Sequence, residues 1–146
     1  MSDKPSIRFA GPQDIDAIMR IYAQRFDSMD DPSIAYSLSD WEYYLLNKGN
    51  SIILVTELDG CIIGLVFAYD MGIWGYVENL VVDTDHRKKG YASAMCECLM
   101  EMGKQRGWRL IEACYYEEME SMKNALQAMG WLDGDITTRW VFKEIA

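Results

Sequence analysis

The sequence predicts an α/β domain with a central mixed, mostly antiparallel sheet and helices on both faces. Three observations carry that prediction. Apolar, β-branched runs between residues 51 and 82 are separated by short turn sequences, which reads as an antiparallel meander. Both faces of these runs are apolar, so helices should cover both sides. A strand, a long helical pattern and another strand then follow between residues 73 and 116, a unit that implies a parallel pair and a right-handed crossover. The 146 residues suit one domain spanning 1–146.

Each element has its own signal. Ser6-Ile7-Arg8-Phe9-Ala10 reads as a first strand. Gly11-Pro12 opens a helix, because proline is tolerated in a first helical turn. Ile15, Ile18, Met19, Tyr22, Phe26 and Met29 keep helical apolar spacing, and Asp30-Asp31-Pro32 stops them. Ser39-Asp40 is expected to cap a short helix from Trp41 to Lys48, ended by Gly49. Strands follow over Ser51 to Leu58, Cys61 to Tyr69 and Ile73 to Val82, joined at Asp59-Gly60 and Asp70-Met71-Gly72. From Lys89 to Arg106 the pattern is helical, with Tyr91, Met95, Cys98, Leu99 and Met102 on one face and Gly107 at the end. Trp108 to Tyr116 is a strand, Glu117 to Met129 a helix stopped by Gly130, and Thr137 to Glu144 a last strand, with room for one more short strand near Trp131.

Composition excludes several classes. Half the residues are hydrophobic, which is too apolar for a disordered chain. No run approaches the ~18 apolar residues that cross a bilayer. The N-terminus is polar and leads into a strand, so no secretory leader is read and a cytoplasmic location is expected, with no membrane partner. Fourteen basic against 23 acidic residues give a charge of −9, which argues against nucleic acid. Cys61, Cys96, Cys98 and Cys114 with the lone His86 make no zinc ligand set, so no metal is expected and the thiols read as reduced, buried and inert.

The chemistry lies between residues 78 and 92. Glu78-Asn79-Leu80-Val81-Val82 ends a strand, Arg87-Lys88-Lys89-Gly90 forms a basic turn, and Tyr91-Ala92-Ser93 begins the long helix. A helix start offers unpaired amides and the positive end of the dipole. Cations and a glycine placed there suit a diphosphate-like anion. The spacing is not that of an NTP-hydrolysing loop.

Arg87-Lys88-Lys89-Gly90-Tyr91-Ala92, after the Val82-Asp83 strand end, resembles the Arg/Gln-x-x-Gly-x-Gly/Ala motif of the GNAT superfamily of N-acetyltransferases. The order of elements is similar from Arg8 to the C-terminus. The resemblance implies a GNAT-like fold in which the parallel pair splays, and acetyl-CoA as co-substrate in the V between the strand ending at Val82 and the one starting near Trp108. It implies that the backbone of Leu80, Val81 and Val82 pairs with the pantetheine amides, as an added strand would. The amides of Arg87, Lys88, Lys89, Gly90, Tyr91 and Ala92, with Ser93 next to them, would hold the diphosphate.

Transfer in the family is usually direct, from thioester to amine. An alkylamine has a pKa near ~10.4, so a base must take its proton. The resemblance points to Glu78, whose alternative role is a structural glutamate. A backbone N–H near Val82 would steady the developing oxyanion. On a regular strand Asn79 faces away from Glu78, so both reach the cleft only across a bulge. The chain departs from the family where a tyrosine is expected four residues before Gly130: Leu126 stands there. Tyr115 or Tyr116 is the substitute candidate for the general acid, and Asn124 a cofactor contact out of the usual register.

The family's substrate pocket is built by the first two helices and the loop joining them. Here that region holds Phe26, Asp27, Asp30, Asp31, Tyr36, Trp41, Glu42, Tyr43 and Tyr44. Carboxylates beside aromatic faces suit a cationic small-molecule amine. The expected function is N-acetylation of a primary amine. The alternative is a non-catalytic acyl-CoA-binding or regulatory module of the same fold. Trp131, Trp140, Val141 and Phe142 near a sheet edge would suit a homodimer.

Overall fold

The structure, a computed structural model, describes residues 4–25, 35–114, 120–134 and 143. The chain divides into two compact units, Met1–Cys114 and Tyr115–Ala146. The first holds a five-stranded sheet in the order β1-β2-β3-β4-β5. Its strands are β1 Ser6–Phe9, β2 Ser51–Leu58, β3 Cys61–Asp70, β4 Trp74–Val82 and β5 Leu110–Ala113. The first four pair antiparallel in sequence order, and β4 pairs parallel with β5. This is the predicted mixed, mostly antiparallel sheet. Asp59 and Gly60 both take positive φ, 52° and 80°, the geometry that joins two right-twisted strands tightly.

Helices α1 (Ile15–Tyr22) and α2 (Leu38–Leu46) cover one face. Ile18, Ile21 and Tyr22 of α1 and Trp41 and Leu45 of α2 bury against Ile53, Val55, Leu65, Phe67 and Val81. Helix α3 (Tyr91–Arg106) packs on β2, β3 and β4. Its buried stripe is Met95, Cys96, Leu99 and Gly103. Of the predicted stripe, Met95 and Leu99 are buried and Tyr91, Cys98 and Met102 half-buried, and the prediction did not include Cys96 or Gly103. It missed the stripe's end because Gly103 faces inward to admit an indole. A Cβ on Gly103 would lie 2.1 Å from Trp108, and one on Gly75 would lie 2.2 Å from the same ring. The indole thus fills the space between β4 and α3. Its Nε1 donates to Asp70 at 3.0 Å, and the same carboxylate accepts from Arg106 Nη1 at 3.0 Å and Gly72 N at 2.9 Å.

Several boundaries differ from expectation. Helix α1 ends at Tyr22 with a turn at 23–25, short of the apolar spacing that runs on to Met29, and β5 starts at Leu110 rather than Trp108. Helix α1 is preceded by a 3-10 turn, Pro12–Asp14, rather than starting at the proline. Ser37, not Ser39, caps α2, because Asp40 lies three residues on and closes a reciprocal box: Asp40 N donates to Ser37 Oγ and Ser37 N to Asp40 Oδ2. Residues 131–134 form no strand. In the second unit α4 spans Glu120–Ala128, and Trp131 N returns to Leu126 O past Gly130. The expected strand Thr137 to Glu144, the stop at Asp30-Asp31-Pro32, and the edge residues Trp140, Val141 and Phe142 lie outside the described residues. Among the described residues no helix is long and apolar enough to cross a membrane.

One ion pair anchors the N-terminal strand to the turn after it. Asp14, only 5% exposed, accepts from Arg8 Nη1 at 2.8 Å, from Arg8 Nη2 at 2.9 Å and from Gly11 N at 2.8 Å. The Arg8 fork holds its carboxyl below the ordinary value of 3.8, against the opposing effect of burial. A depressed acid stabilises the fold above its unfolded pKa and loses that contribution as pH falls through the folded value. Asp14→Ala is expected to lower unfolding free energy by about 2 kcal/mol at neutral pH. The gap to wild type should close as pH falls below about 4. Urea melts at pH 7 and pH 3 check this; a gap of equal size at both would refute the pairing.

Candidate active site

The β3–β4 ladder carries one irregularity. Phe67 pairs with Asn79 but Ala68 pairs with Val77, so Glu78 is an extra residue in β4. That is a β-bulge, and it removes the opposition of Glu78 and Asn79. Asn79 shares the face of its partner Phe67. Glu78 turns to the same face, where Tyr36 O–H donates to its Oε1 at 3.3 Å. Both residues thus face the α1–α2 side.

The bulge coincides with the end of the parallel pairing. β4 and β5 pair from Trp74–Leu110 to Val77–Ala113. From Glu78 to Val82, β4 continues with no β5 partner among the described residues. Backbone alternation decides what that edge offers. Asp83 N donates to Ile63 O at 2.8 Å, so odd-numbered Val81 also directs its backbone toward β3. Leu80 and Val82 direct theirs the other way, onto the unpaired edge. The Val82 carbonyl there accepts from Arg87 Nε at 2.9 Å, which leaves its N–H as the polar group directed at that edge.

The basic turn is shaped by that same arginine. Arg87 also donates through Nη2 to Gln24 O at 3.3 Å, and Gln24 Oε1 accepts from Thr84 N at 2.8 Å and Thr84 Oγ1 at 2.7 Å. The side chain of Arg87 therefore ties the turn to the end of α1, and Lys88 and Lys89 are the exposed cations. Lys88 (φ 61°) and Gly90 (φ 88°) both adopt left-handed backbone, which folds the turn over the helix start. The first α3 bond is Ala94 N to Gly90 O at 3.0 Å. Amides of Tyr91, Ala92 and Ser93 therefore have no acceptor within the helix. No side chain caps them, and no acid stands in the first turn. A Cβ on Gly90 would meet nothing within 4 Å, so the space over this start is open.

Tyrosines surround Glu78. Burial, then Tyr44, pushes the Tyr69 phenol above its usual range, and its ring meets Phe67 edge-on at 5.0 Å. Burial, then the Glu78 charge, pushes the Tyr36 phenol far above its usual range. Tyr76 is pushed up to about 12 by burial, then by Cys114 and Glu78. These phenols stay neutral donors throughout the working pH range.

The remaining expected residues are placed as follows. Asn124 is exposed on α4, in the second unit, and Leu126 of the same helix is buried. Tyr115, Tyr116, Phe26, Asp27, Asp30 and Asp31 lie outside the described residues. The thiols are not uniformly buried: Cys96 is buried and pushed up to about 11, whereas Cys61 and Cys114 are exposed. Cys61 opens β3 after a tight turn and Cys114 follows the last β5 residue, so both sit at strand ends. Among the described residues no group of three His, Cys, Asp or Glu is placed to hold a metal ion. Sequence reasoning missed Gln24, whose contacts are 60 residues away and carry no local signal.

The model of the acetyltransferase (GNAT) family matches residues 15–131. The chain belongs to that family. Similar solved structures include a ribosomal-protein-alanine N-acetyltransferase from Brucella melitensis biovar Abortus 2308, at 19% identity and a TM-score of 0.77, covering 97% of this chain and 100% of that one. Another is AAC(6')-Iy in complex with the bisubstrate analogue CoA-S-monomethyl-acetylneamine, at 18% identity and a TM-score of 0.77, covering 96% and 99%. The same enzyme with CoA aligns at 19% identity and a TM-score of 0.76, covering 99% and 97%. No curated protein sequence matches the chain.

Gly90 generates a direct test of the helix start. Replacing it by valine costs about 1–2 kcal/mol of backbone strain and projects a side chain into the open space over the amides. Calorimetry with CoA is expected to show at least about tenfold weaker binding, equivalent to about 1.4 kcal/mol. Unchanged affinity in a folded variant would place the diphosphate elsewhere.

Proposed function

We propose that this chain transfers an acetyl group from acetyl-CoA directly to the primary amine of a small cationic molecule. The observation that carries the reading is the bulge, which brings Glu78 onto the face beside the unpaired edge of β4. The donors fit the co-substrate: an uncapped helix start free of acid suits the diphosphate, and alternating amides on an open strand edge suit the pantetheine arm. Bound acetyl-CoA supplies the thioester carbonyl. Amides from Arg87 to Ser93 would hold the diphosphate, and the edge from Leu80 to Val82 the arm. Likeness to structures that hold CoA or a CoA conjugate supports this assignment. The family match runs across both compact units, which supports reading 1–146 as one domain.

Glu78 would take the proton from the ammonium nitrogen, freeing its lone pair for attack. The Val82 N–H would donate to the acyl oxygen as charge develops on it. The carboxylate and the tyrosine rings around it suit a cationic amine. Leu126, at the position of the family's usual acid, favours the alternative of a non-catalytic acyl-CoA-binding module. Thiol release from acetyl-CoA across a panel of polyamines, aminoglycosides and amino-terminal peptides separates the two. Turnover with a polyamine or aminoglycoside is the expected result; tight CoA binding with no turnover on any amine would favour the module.

Glu78→Gln keeps shape and hydrogen bonding but removes basicity. A well-placed base is worth roughly 10²–10⁴-fold. The variant should lose at least about a hundredfold in kcat/KM with CoA affinity little changed. A rate within a few-fold of wild type would place the base elsewhere.

A further inference from the structure

We propose that Tyr36 is the positioning residue of the active site: its hydroxyl holds the Glu78 carboxylate in one rotamer, aimed along the α1–α2 face toward the unpaired edge of β4. This rests on the reading of Glu78 as the base. Glu78 is an exposed carboxylate on a bulge, where the strand is bent and its ladder broken. An exposed glutamate has three rotatable bonds and no intrinsic reason to point one way. The only hydrogen bond to its side chain among those of the described residues comes from Tyr36, at 3.3 Å.

Tyr36 is held far more firmly than a loop residue needs to be. Its ring stacks on Tyr22 at 5.6 Å with an interplanar angle of 13°, and meets Trp41 edge-on at 5.4 Å and 89°. Phe67 lies 5.9 Å away and Tyr44 5.7 Å away. Its backbone N–H donates to Tyr22 Oη at 3.1 Å, and the next residue, Ser37, caps α2. Both sides of the ring and its backbone are thereby fixed to α1, α2 and β3, all parts of the core cluster. Such a clamp transfers the rigidity of the core to one hydroxyl.

The consequence is kinetic. A general base works only within hydrogen-bond reach of the proton it takes, and a displacement of about 1 Å costs up to about a hundredfold. Tyr36→Phe keeps the stack and removes only the hydroxyl. With an amine that the wild type acetylates, kcat is expected to fall about tenfold or more, with the KM for acetyl-CoA unchanged. In the Glu78→Gln background the same change should cost less than about twofold, because a positioning residue has nothing left to position. A structural role would instead give additive losses in both backgrounds and weaker CoA binding. The crystal structure of Tyr36→Phe with CoA gives a readout independent of turnover. More than one Glu78 rotamer is expected, and a single unmoved rotamer would overturn the proposal. A slow Glu78→Gln beside a full-rate Tyr36→Phe would sink the role of Tyr36 alone. A full-rate Glu78→Gln would sink the base assignment and this role with it.

Discussion

β4 is paired along both edges as far as Val77, and one inserted residue interrupts the β3 ladder where, among the described residues, the pairing with β5 stops. On the β3 side Glu78 has no partner; on the β5 side pairing stops one residue before it. A bulge bends its strand and raises the local twist. The same residue that breaks the ladder then carries the only carboxylate on this stretch of β4. The face on which Glu78 stands is set by a backbone irregularity.

The sheet was legible because its signals are local. Apolar runs, turn residues and the helix-stopping Gly107 fix strand order and helix ends without reference to distant residues. The basic turn and Gly90 were legible for the same reason: a helix start after a strand is a short-range pattern. The bulge was legible only as a condition, since a strand with period 2 cannot place both Glu78 and Asn79 on one face. What escaped were long-range choices. Gly103 and Gly75 make sense only once Trp108 lies between them, and Ser37 outcompetes Ser39 as a cap through the reach of Asp40. Arg87 reads as an anion ligand in the sequence, yet its side chain serves two carbonyls, one of them 63 residues away.

That use of Arg87 changes what the turn offers an anion. A guanidinium aimed at a phosphate would add charge but would leave the Val82 carbonyl exposed on the same edge. Turned inward, it neutralises that acceptor. Leu80 presents both an N–H and a C=O to the open edge, as a strand does to an incoming amide-bearing chain. At Val82 only the N–H remains. Beyond it come the amides of Tyr91, Ala92 and Ser93, all donors, with the dipole of α3 behind them. Going from Glu78 to Ser93, the surface passes from a carboxylate, through a mixed donor and acceptor edge, to donors alone.

On the proposed function, this ordering would select a ligand by its polarity along its length. The Glu78 end, where the carboxylate sits among tyrosines that stay neutral, would favour a cation. The α3 end, where the protein supplies donors without an opposing acceptor, would favour an anion. The chain's net charge of −9 makes the second preference hard to obtain from long-range attraction. It must come from contact-range groups, whose interaction is least screened by salt. Backbone amides at a helix start meet that requirement, because their direction is fixed by the fold and needs no side chain to be ordered on binding. The left-handed conformations of Lys88 and Gly90 shape the turn at those amides, and on the proposed function a residue that relaxed them would alter the space offered to the anion.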